Sequence, residues 1–392
     1  MLISISYILF FGMIFGWVCR KIKFPALFGM IVAGILIGPH VFNLIDESIL
    51  NISAELRKIA LIIILIRAGL KLSIDDLRKV GRPAILMCFL PACVEMIGMI
   101  VLAPMVLGIS RLDAAVLGAV IGAVSPAVIV PKMIKLIDEG YGADKAIPQM
   151  ILAGASVDDV FVIVMFTTFT GLAQGQSVSM MSFVNIPISI VTGIAVGIAC
   201  GFCITLFFER VHVRDTVKII IILCVSFVLV TIEDKFGGII PFASLIGIMA
   251  LGLQIRRQKL EVSIRLSERF NKMWVVAEVF LFVLVGASVN IERALDSGVK
   301  GIVLVLLVLI FRMLGVLLCQ IGTKLNIKER AFCMLAYTPK ATVQAAIGGL
   351  PLSMGLQCGE IVLTVSVIAI LLTAPLGAFA IDLTYKRFLV KE

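Results

Sequence analysis

Apolar stretches of about 18–25 residues recur along this chain, each as long as a helix needs to be to cross roughly 30 Å of hydrocarbon. In lipid, backbone N–H and C=O groups find no water. A spanning segment must therefore satisfy its own hydrogen bonds, which stretches of this length do as α-helices. The composition agrees: 61% hydrophobic and 15% charged residues, with a mean hydropathy of +1.15, lie outside the range of soluble domains. The expected fold class is an all-α polytopic membrane protein, a single membrane domain over residues 1–392. Thirteen transmembrane helices are expected, at approximately 3–20, 24–43, 56–72, 84–108, 112–136, 147–171, 184–208, 215–232, 238–254, 271–289, 300–321, 329–351 and 357–385. The first stretch, Leu2–Cys19, lacks a basic n-region and a small-residue cleavage site, and reads as a retained span. The tail after the last span is short, so no soluble nucleotide-binding or regulatory domain is expected.

Of the 34 Lys and Arg residues, with those at span ends assigned to the adjoining loop, 25 belong to the loops after odd-numbered spans and the C-terminal tail, 6 to the loops on the other side, and 3 to span interiors. Basic residues concentrate on the cytoplasmic side of a membrane protein. The N-terminus is therefore expected outside and the C-terminus in the cytoplasm, with the protein in the plasma (inner) membrane. The net charge of +9 then reflects basic loops facing anionic lipid and no nucleic-acid partner. The segment Arg256–Lys272 is basic and amphipathic. It reads either as a helix lying on the cytoplasmic surface between two halves of the chain, or as a solvated charged loop.

Two adjacent acids, Asp158 and Asp159, interrupt the span at 147–171. An acid near the bilayer centre costs about 2.5–3.5 kcal/mol on insertion scales, and a second adds to that. Such a pair is tolerated where protein and water surround it, so an ion or proton site is the default reading. Neighbours on one helix point about 100° apart, so the two acids are not equivalent. One can face the broken helices described next while the other faces a water-filled access path. A carboxylate poised near neutral pH holds either a proton or a metal cation, and that competition is a sufficient chemical basis for cation/proton exchange.

Span 5 contains Ser125-Pro126 and then Pro131, and span 12 contains Thr338-Pro339-Lys340. If the chain divides into spans 1–6, a linker span 7 and spans 8–13, the halves are two inverted repeats. Each interrupted span is then next to last in its half. Paired discontinuous helices in inverted repeats point to a midplane ion site, because broken backbone is tolerated at that depth only where it lines a cavity or is buried in protein. Two ordinary proline kinks are the plainer alternative; their coincidence with Asp158, Asp159 and Lys340 argues against it. Ser125, Ser156, Thr338, Thr342 and Gln344 offer hydroxyl or amide oxygens near the same level. They are hard ligands of the kind Na⁺ and Li⁺ take, although each also suits a back-bonded helix-packing role.

The other intramembrane charges are Arg67 in span 3, Glu95 in span 4, Glu278 in span 10 and Arg312 in span 11. Glu95 and Arg312 sit on matching helices of the triplets 4–6 and 11–13, and an ion pair between them is expected. Its value would lie in fixing geometry or compensating charge. Lys340, where two half-helices meet, is placed to offset the negative end of a helix dipole. Gly193, Gly197 and Gly201 form a small-residue stripe on span 7 that lets a neighbouring helix approach.

No cofactor is expected. Cys200-Gly-Phe-Cys203 is formally a CxxC, but it has no second pair and no nearby His. The only two histidines, His40 and His212, argue against a His-based relay or metal site.

GAVSPAVIVPKMIKLIDEGYG (Gly122–Gly142), ASVDDV (Ala155–Val160), LIRAGLKL (Leu65–Leu72) and TPKATVQAAIGGLPL (Thr338–Leu352) together resemble the monovalent cation/proton antiporter superfamily. The branch resembled carries an Asp-Asp motif and includes bacterial and animal sodium/proton antiporters. The resemblance implies the NhaA-type fold. A core part, 84–171 and 300–385, would carry the ion past a dimerisation part, 1–72 and 215–289, in an elevator-like cycle. Residues 184–208 would form the linker helix, and the protein would be a homodimer. Asp159 resembles the required ion- and proton-binding acid, which would take the monovalent cation, and Asp158 resembles the first acid of the pair. Ser125-Pro126 and Thr338-Pro339-Lys340 match the crossover of the broken helices. Electrogenic members often carry a lysine in span 11 that interacts with the first Asp. Here the base is Arg312, with Glu95 as its available partner, which leaves the stoichiometry open.

The leading expectation is a secondary antiporter exchanging Na⁺ or Li⁺, or K⁺, for H⁺. A K⁺/H⁺ exchanger or an ion-coupled organic solute carrier on the same fold is the alternative. An enzyme is not expected: an intramembrane aspartyl protease needs its two Asp on different helices facing one bond. A non-transporting sensor is the third class, and would tolerate loss of Asp159.

Overall fold

The computed structural model of the chain describes residues 1–22, 24–71, 81–175, 180–236, 242–289 and 291–391. Eighteen α-helices are found among them. The first half holds α1 Leu2–Lys21, α2 Ala26–Ile37, α3 Glu47–Asn51, α4 Ser53–Lys71, α5 Arg82–Met87, α6 Leu90–Leu107, α7 Arg111–Ile121, α8 Pro126–Asp138 and α9 Ile147–Ala173. The second holds α10 Met180–Arg210, α11 Asp215–Phe236, α12 Ser244–Gln258, α13 Leu260–Ala287, α14 Ile291–Cys319, α15 Ile327–Ala336, α16 Thr342–Ile347, α17 Leu350–Ser353 and α18 Gly359–Phe388.

Nine helical segments among the described residues are long and apolar enough to cross a membrane. They coincide with expected spans 1, 4–8, 10, 11 and 13. The other four expected spans fall on α2, α4, α12 and the interrupted α15–α17, which are short, charged or broken. The basic segment 256–272 is not a separate surface helix. Lys259 ends α12, and residues 260–287 form one 28-residue helix. The reason is in the pattern: Leu266 and Phe270 are buried and continue in helical register into the apolar run of span 10, so nothing stops the helix between them.

Two compact units are found. One comprises Lys58–Ser73 and Gly175–Glu278. Within it α10 lies against α12 along the expected glycine stripe. A Cβ on Gly197 would sit 2.1 Å from the Gly247 carbonyl oxygen, and one on Gly193 would sit 2.5 Å from that of Ala243. Only glycine permits this approach.

The other unit comprises Met1–Arg57, Ile74–Gln174 and Val279–Glu392. It holds two triplets of the same pattern, a long helix, an interrupted helix and a long helix: α6, α7–α8, α9 and α14, α15–α16, α18. Each interruption has a local cause. Pro126 opens α8 at a position where a missing N–H costs nothing, while Gly122 and Ser125 carry the chain out of α7. In the second triplet Pro339 lacks a donor and α15 ends at Tyr337. Asn326 starts α15 with a capping box to Glu329, whose carboxylate also takes Lys145 Nζ at 2.8 Å on both oxygens. The chain after α18 folds back on the loop before α9, where Gly142 N donates to Val390 O at 2.8 Å. The ends of α8, α9, α15 and α18 are thereby tied together around a buried cluster that includes Met87, Ile129, Met133, Phe332 and Tyr337.

Candidate functional site

The two breaks meet. Ser125 N, at the end of the first, donates to Pro339 O in the second at 2.8 Å. A break at membrane depth strands backbone groups that lipid cannot satisfy, so each needs a partner from the protein. In the first break Val124 N donates to Asp158 Oδ2 at 2.8 Å. Gln344 Nε2 donates to the carbonyls of Val120, Ile121 and Ala123 at 3.1, 3.2 and 2.9 Å. The Gly122 carbonyl accepts from Arg312 Nη1. In the second break Tyr337 O accepts from Arg312 Nε at 2.8 Å, and Lys340 N donates to Thr373 Oγ1 at 2.8 Å.

A network of four charges fills the same place. Arg312, with no exposure, donates from Nη2 to Asp158 Oδ2 at 2.8 Å and from Nη1 to Glu95 Oε2 at 2.8 Å. Lys340 Nζ reaches the same Glu95 oxygen at 2.6 Å. Two acids and two bases balance, and Arg312 uses four of its five N–H donors. Buried charges are tolerated when paired and hydrogen-bonded in this way. The expected Glu95–Arg312 pair is present, but Arg312 is not tied up by Glu95 alone. Lys340 faces Glu95, where the sequence suggested a helix dipole.

Asp159 is outside this balance. It is 7% exposed, and among the described residues no base lies within ion-pair distance of it. Its Oδ1 is one of six buried site oxygens that lack a hydrogen-bond partner, with Asp158 Oδ1, Glu95 Oε1, Ser125 Oγ, Thr342 Oγ1 and Gln344 Oε1. A buried oxygen without a partner is costly. Hard oxygens of this kind suit a proton or a small cation.

Of the expected oxygen donors, Ser125, Thr342 and Gln344 therefore keep a free oxygen. The Thr338 hydroxyl donates to Leu335 O at 2.8 Å, the back-bonded alternative. The Ser156 side chain lies outside the described residues. Two participants, Tyr337 and Thr373, and one role, that of Gln344, were not foreseen. Tyr337 bonds Met87 O through its hydroxyl at 2.9 Å and lies 5.0 Å beneath the Arg312 guanidinium. Thr373 holds Lys340 N, and Gln344 acts as a donor to backbone. Tyr337 adjoins the Thr-Pro-Lys motif, which could have signalled it; Thr373, thirty-three positions from its partner, carries no such signal.

The profile of the family described as sodium/hydrogen exchanger, transmembrane, matches residues 7–386. The chain is 34% identical to sodium/hydrogen exchanger 9B2 of Mus musculus, over 97% of this chain and 72% of that protein. It is 31% identical to sodium/hydrogen exchanger 9B1 of Homo sapiens, over 94% and 73%. Among solved structures, the sodium proton antiporter MjNhaP1 from Methanocaldococcus jannaschii superposes with a TM-score of 0.86 at 19% identity, over 99% of both chains. The fold, the crossed broken helices and these likenesses agree: the chain is an integral membrane protein of the transmembrane sodium/hydrogen exchanger family, within the monovalent cation/proton antiporters.

Proposed function

We propose that this protein exchanges Na⁺ or Li⁺ for H⁺, with cation and proton competing for Asp159. The observation that carries the reading is the contrast within the acid pair: Asp158 is bound to Arg312, while Asp159 is buried with no base in ion-pair reach among the described residues. A lone buried carboxylate is far more stable with its charge offset. A proton or a monovalent cation offsets it equally, but not both together. Each turnover therefore returns Asp159 loaded with one or the other, and a single compact unit holds every member of the network. Such a unit suits elevator-like alternating access, with the core carrying the ion past a scaffold.

Because Arg312 stays charged at any attained pH and Asp158 stays bound to it, the charge moved per cycle is that of Asp159 alone. Exchange is then electroneutral, one cation per proton. The basic-loop asymmetry supports a plasma (inner) membrane protein with the N-terminus outside. Kinship with the exchangers above supports sodium as the cation.

The test is pH-gradient dequenching in proteoliposomes, scanning Li⁺, Na⁺ and K⁺. Dequenching by Na⁺ and Li⁺ is expected. No response to any monovalent cation would contradict the proposal, and a response confined to K⁺ would replace it with K⁺/H⁺ exchange.

A further inference from the structure

The carbonyls of Val120, Ile121 and Ala123 lie at the C-terminal end of α7, where a half-helix concentrates partial negative charge. Unwound carbonyls at such ends are the groups that coordinate cations in transporters with broken helices. Here all three lie within hydrogen-bond distance of one nitrogen, Gln344 Nε2, at 2.9 to 3.2 Å, and share its two protons. The amide orientation follows from the partners: with Oε1 in that position, four oxygens would converge with no proton among them. The next carbonyl, Gly122 O, is taken by Arg312. Carbonyls 120 to 123 are thus each occupied by a side-chain donor. The residue that follows, Val124, is bonded to Asp158, so this run of backbone borders the acid pair. The other end of the amide, Oε1, is fully buried and has no partner.

We propose that Gln344 sets the cation-size preference: its NH₂ withholds three backbone carbonyls from the transported ion, and its Oε1 offers one oxygen in their place. This rests on the cation/proton exchange reading above. The number and field strength of the available oxygens decide which ion gives up its water most readily. A carboxylate with few neutral oxygens is a small, strong-field shell that favours Na⁺ and Li⁺. Freeing three carbonyls would enlarge the shell and admit K⁺. A clamp that only held the breaks together would affect all three ions alike.

The experiment measures apparent KM for Na⁺, Li⁺ and K⁺ by dequenching in proteoliposomes for wild type, Gln344→Met and Gln344→Asn. Met keeps the length without a donor; Asn keeps the amide on an arm shorter by one methylene. Wild type is expected to take Na⁺ and Li⁺ at lower KM than K⁺. Gln344→Met is expected to reduce the K⁺-to-Na⁺ KM ratio by about fivefold or more, and Gln344→Asn to move it the same way by less. A folded variant that loses rate for all ions in proportion, with the ratio unchanged, would overturn the proposal. So would a wild-type protein that takes K⁺ as readily as Na⁺, an arm that needs no variant to fold. No dequenching by any monovalent cation in the wild type would strike the exchange reading itself, and exchange retained in Asp159→Asn would strike the competition at Asp159. Loss in Asp159→Asn with an unchanged ratio in the Gln344 variants would strike the role of Gln344 alone.

Discussion

Arg312 Nη2 lies 2.8 Å from Asp158 Oδ2, and this one contact separates the fates of two adjacent acids. Through it, and through the bonds from Nε and Nη1 to the two breaks and to Glu95, a single guanidinium joins the acid pair to both broken helices. Asp158 thereby becomes part of the framework. Asp159, one residue on and about 100° around the helix, has no base within ion-pair distance among the described residues, and is the proposed ion site.

The network predicts strong coupling among its members. Removing one partner of a buried pair costs about 3–5 kcal/mol, because the other charge is left uncompensated. Glu95→Gln strands part of both Arg312 and Lys340, and Arg312→Ala strands Asp158 as well as Glu95. Each is expected to lower the melting temperature markedly in detergent. The double variant is expected to cost less than the sum of the two. Additive shifts in this double-mutant cycle would show that the pair is not energetically joined.

Charge balance predicts the response to voltage. With Glu95 and Asp158 offset by Lys340 and Arg312, the proposed mechanism has only the Asp159 site change its load. Net flux in proteoliposomes is expected to be the same with the membrane potential clamped at zero and at about 100 mV, where one uncompensated charge per cycle would be worth roughly 2.3 kcal/mol. A clear dependence on the imposed potential would show that a second group, Lys340 foremost, also releases a proton.

Tyr337 predicts a structural effect with a functional echo. Its hydroxyl bonds Met87 O at 2.9 Å, and a Cβ on Gly154 would sit 2.6 Å from that hydroxyl. Tyr337→Phe is expected to cost about 1–3 kcal/mol by leaving a buried carbonyl unpaired. Gly154→Ala, one turn before the acid pair, is expected to cost about 1–3 kcal/mol by overpacking and to slow exchange. The cost of Gly154→Ala should be smaller in the Tyr337→Phe background. Equal cost in both backgrounds, measured by thermal melts, would remove the contact from the account.

Much of this was legible in the sequence because its signals are local or symmetric. An Asp-Asp step inside an apolar run, and prolines at matching places in two halves, mark the candidate site in the sequence itself. Glu95 and Arg312 could be paired from repeat symmetry alone. The missing parts depend on distance and direction. That Arg312 also holds Asp158, that Lys340 turns to Glu95, and that Gln344 points its nitrogen inward are settled by side-chain geometry across three or more helices. No spacing rule encodes that. The basic segment 256–272 misled because charge density suggested a surface helix, while its buried Leu266 and Phe270 kept it in register with the helix that follows.

Tail and loop predict topology together. Val390 O accepts from Gly142 N, so the end of the chain and the loop before α9 lie on one side of the membrane, which in the proposed orientation is the cytoplasmic side. In a background without native cysteines, a cysteine placed after Lys391 or at Ala143 is expected to resist an impermeant thiol reagent added to intact cells. Labelling of both from outside would invert the orientation, and labelling of one alone would break the link between them.

The most direct test of the central claim is exchange by Asp159→Asn in proteoliposomes, beside Asp158→Asn and wild type, with folding checked by thermal melts. Asn keeps the shape of Asp159 but can carry neither proton nor cation charge. The account predicts a folded protein with Na⁺- and Li⁺-driven dequenching abolished, while Asp158→Asn is severely impaired with residual exchange. Asp159→Asn exchanging at close to the wild-type rate would contradict it.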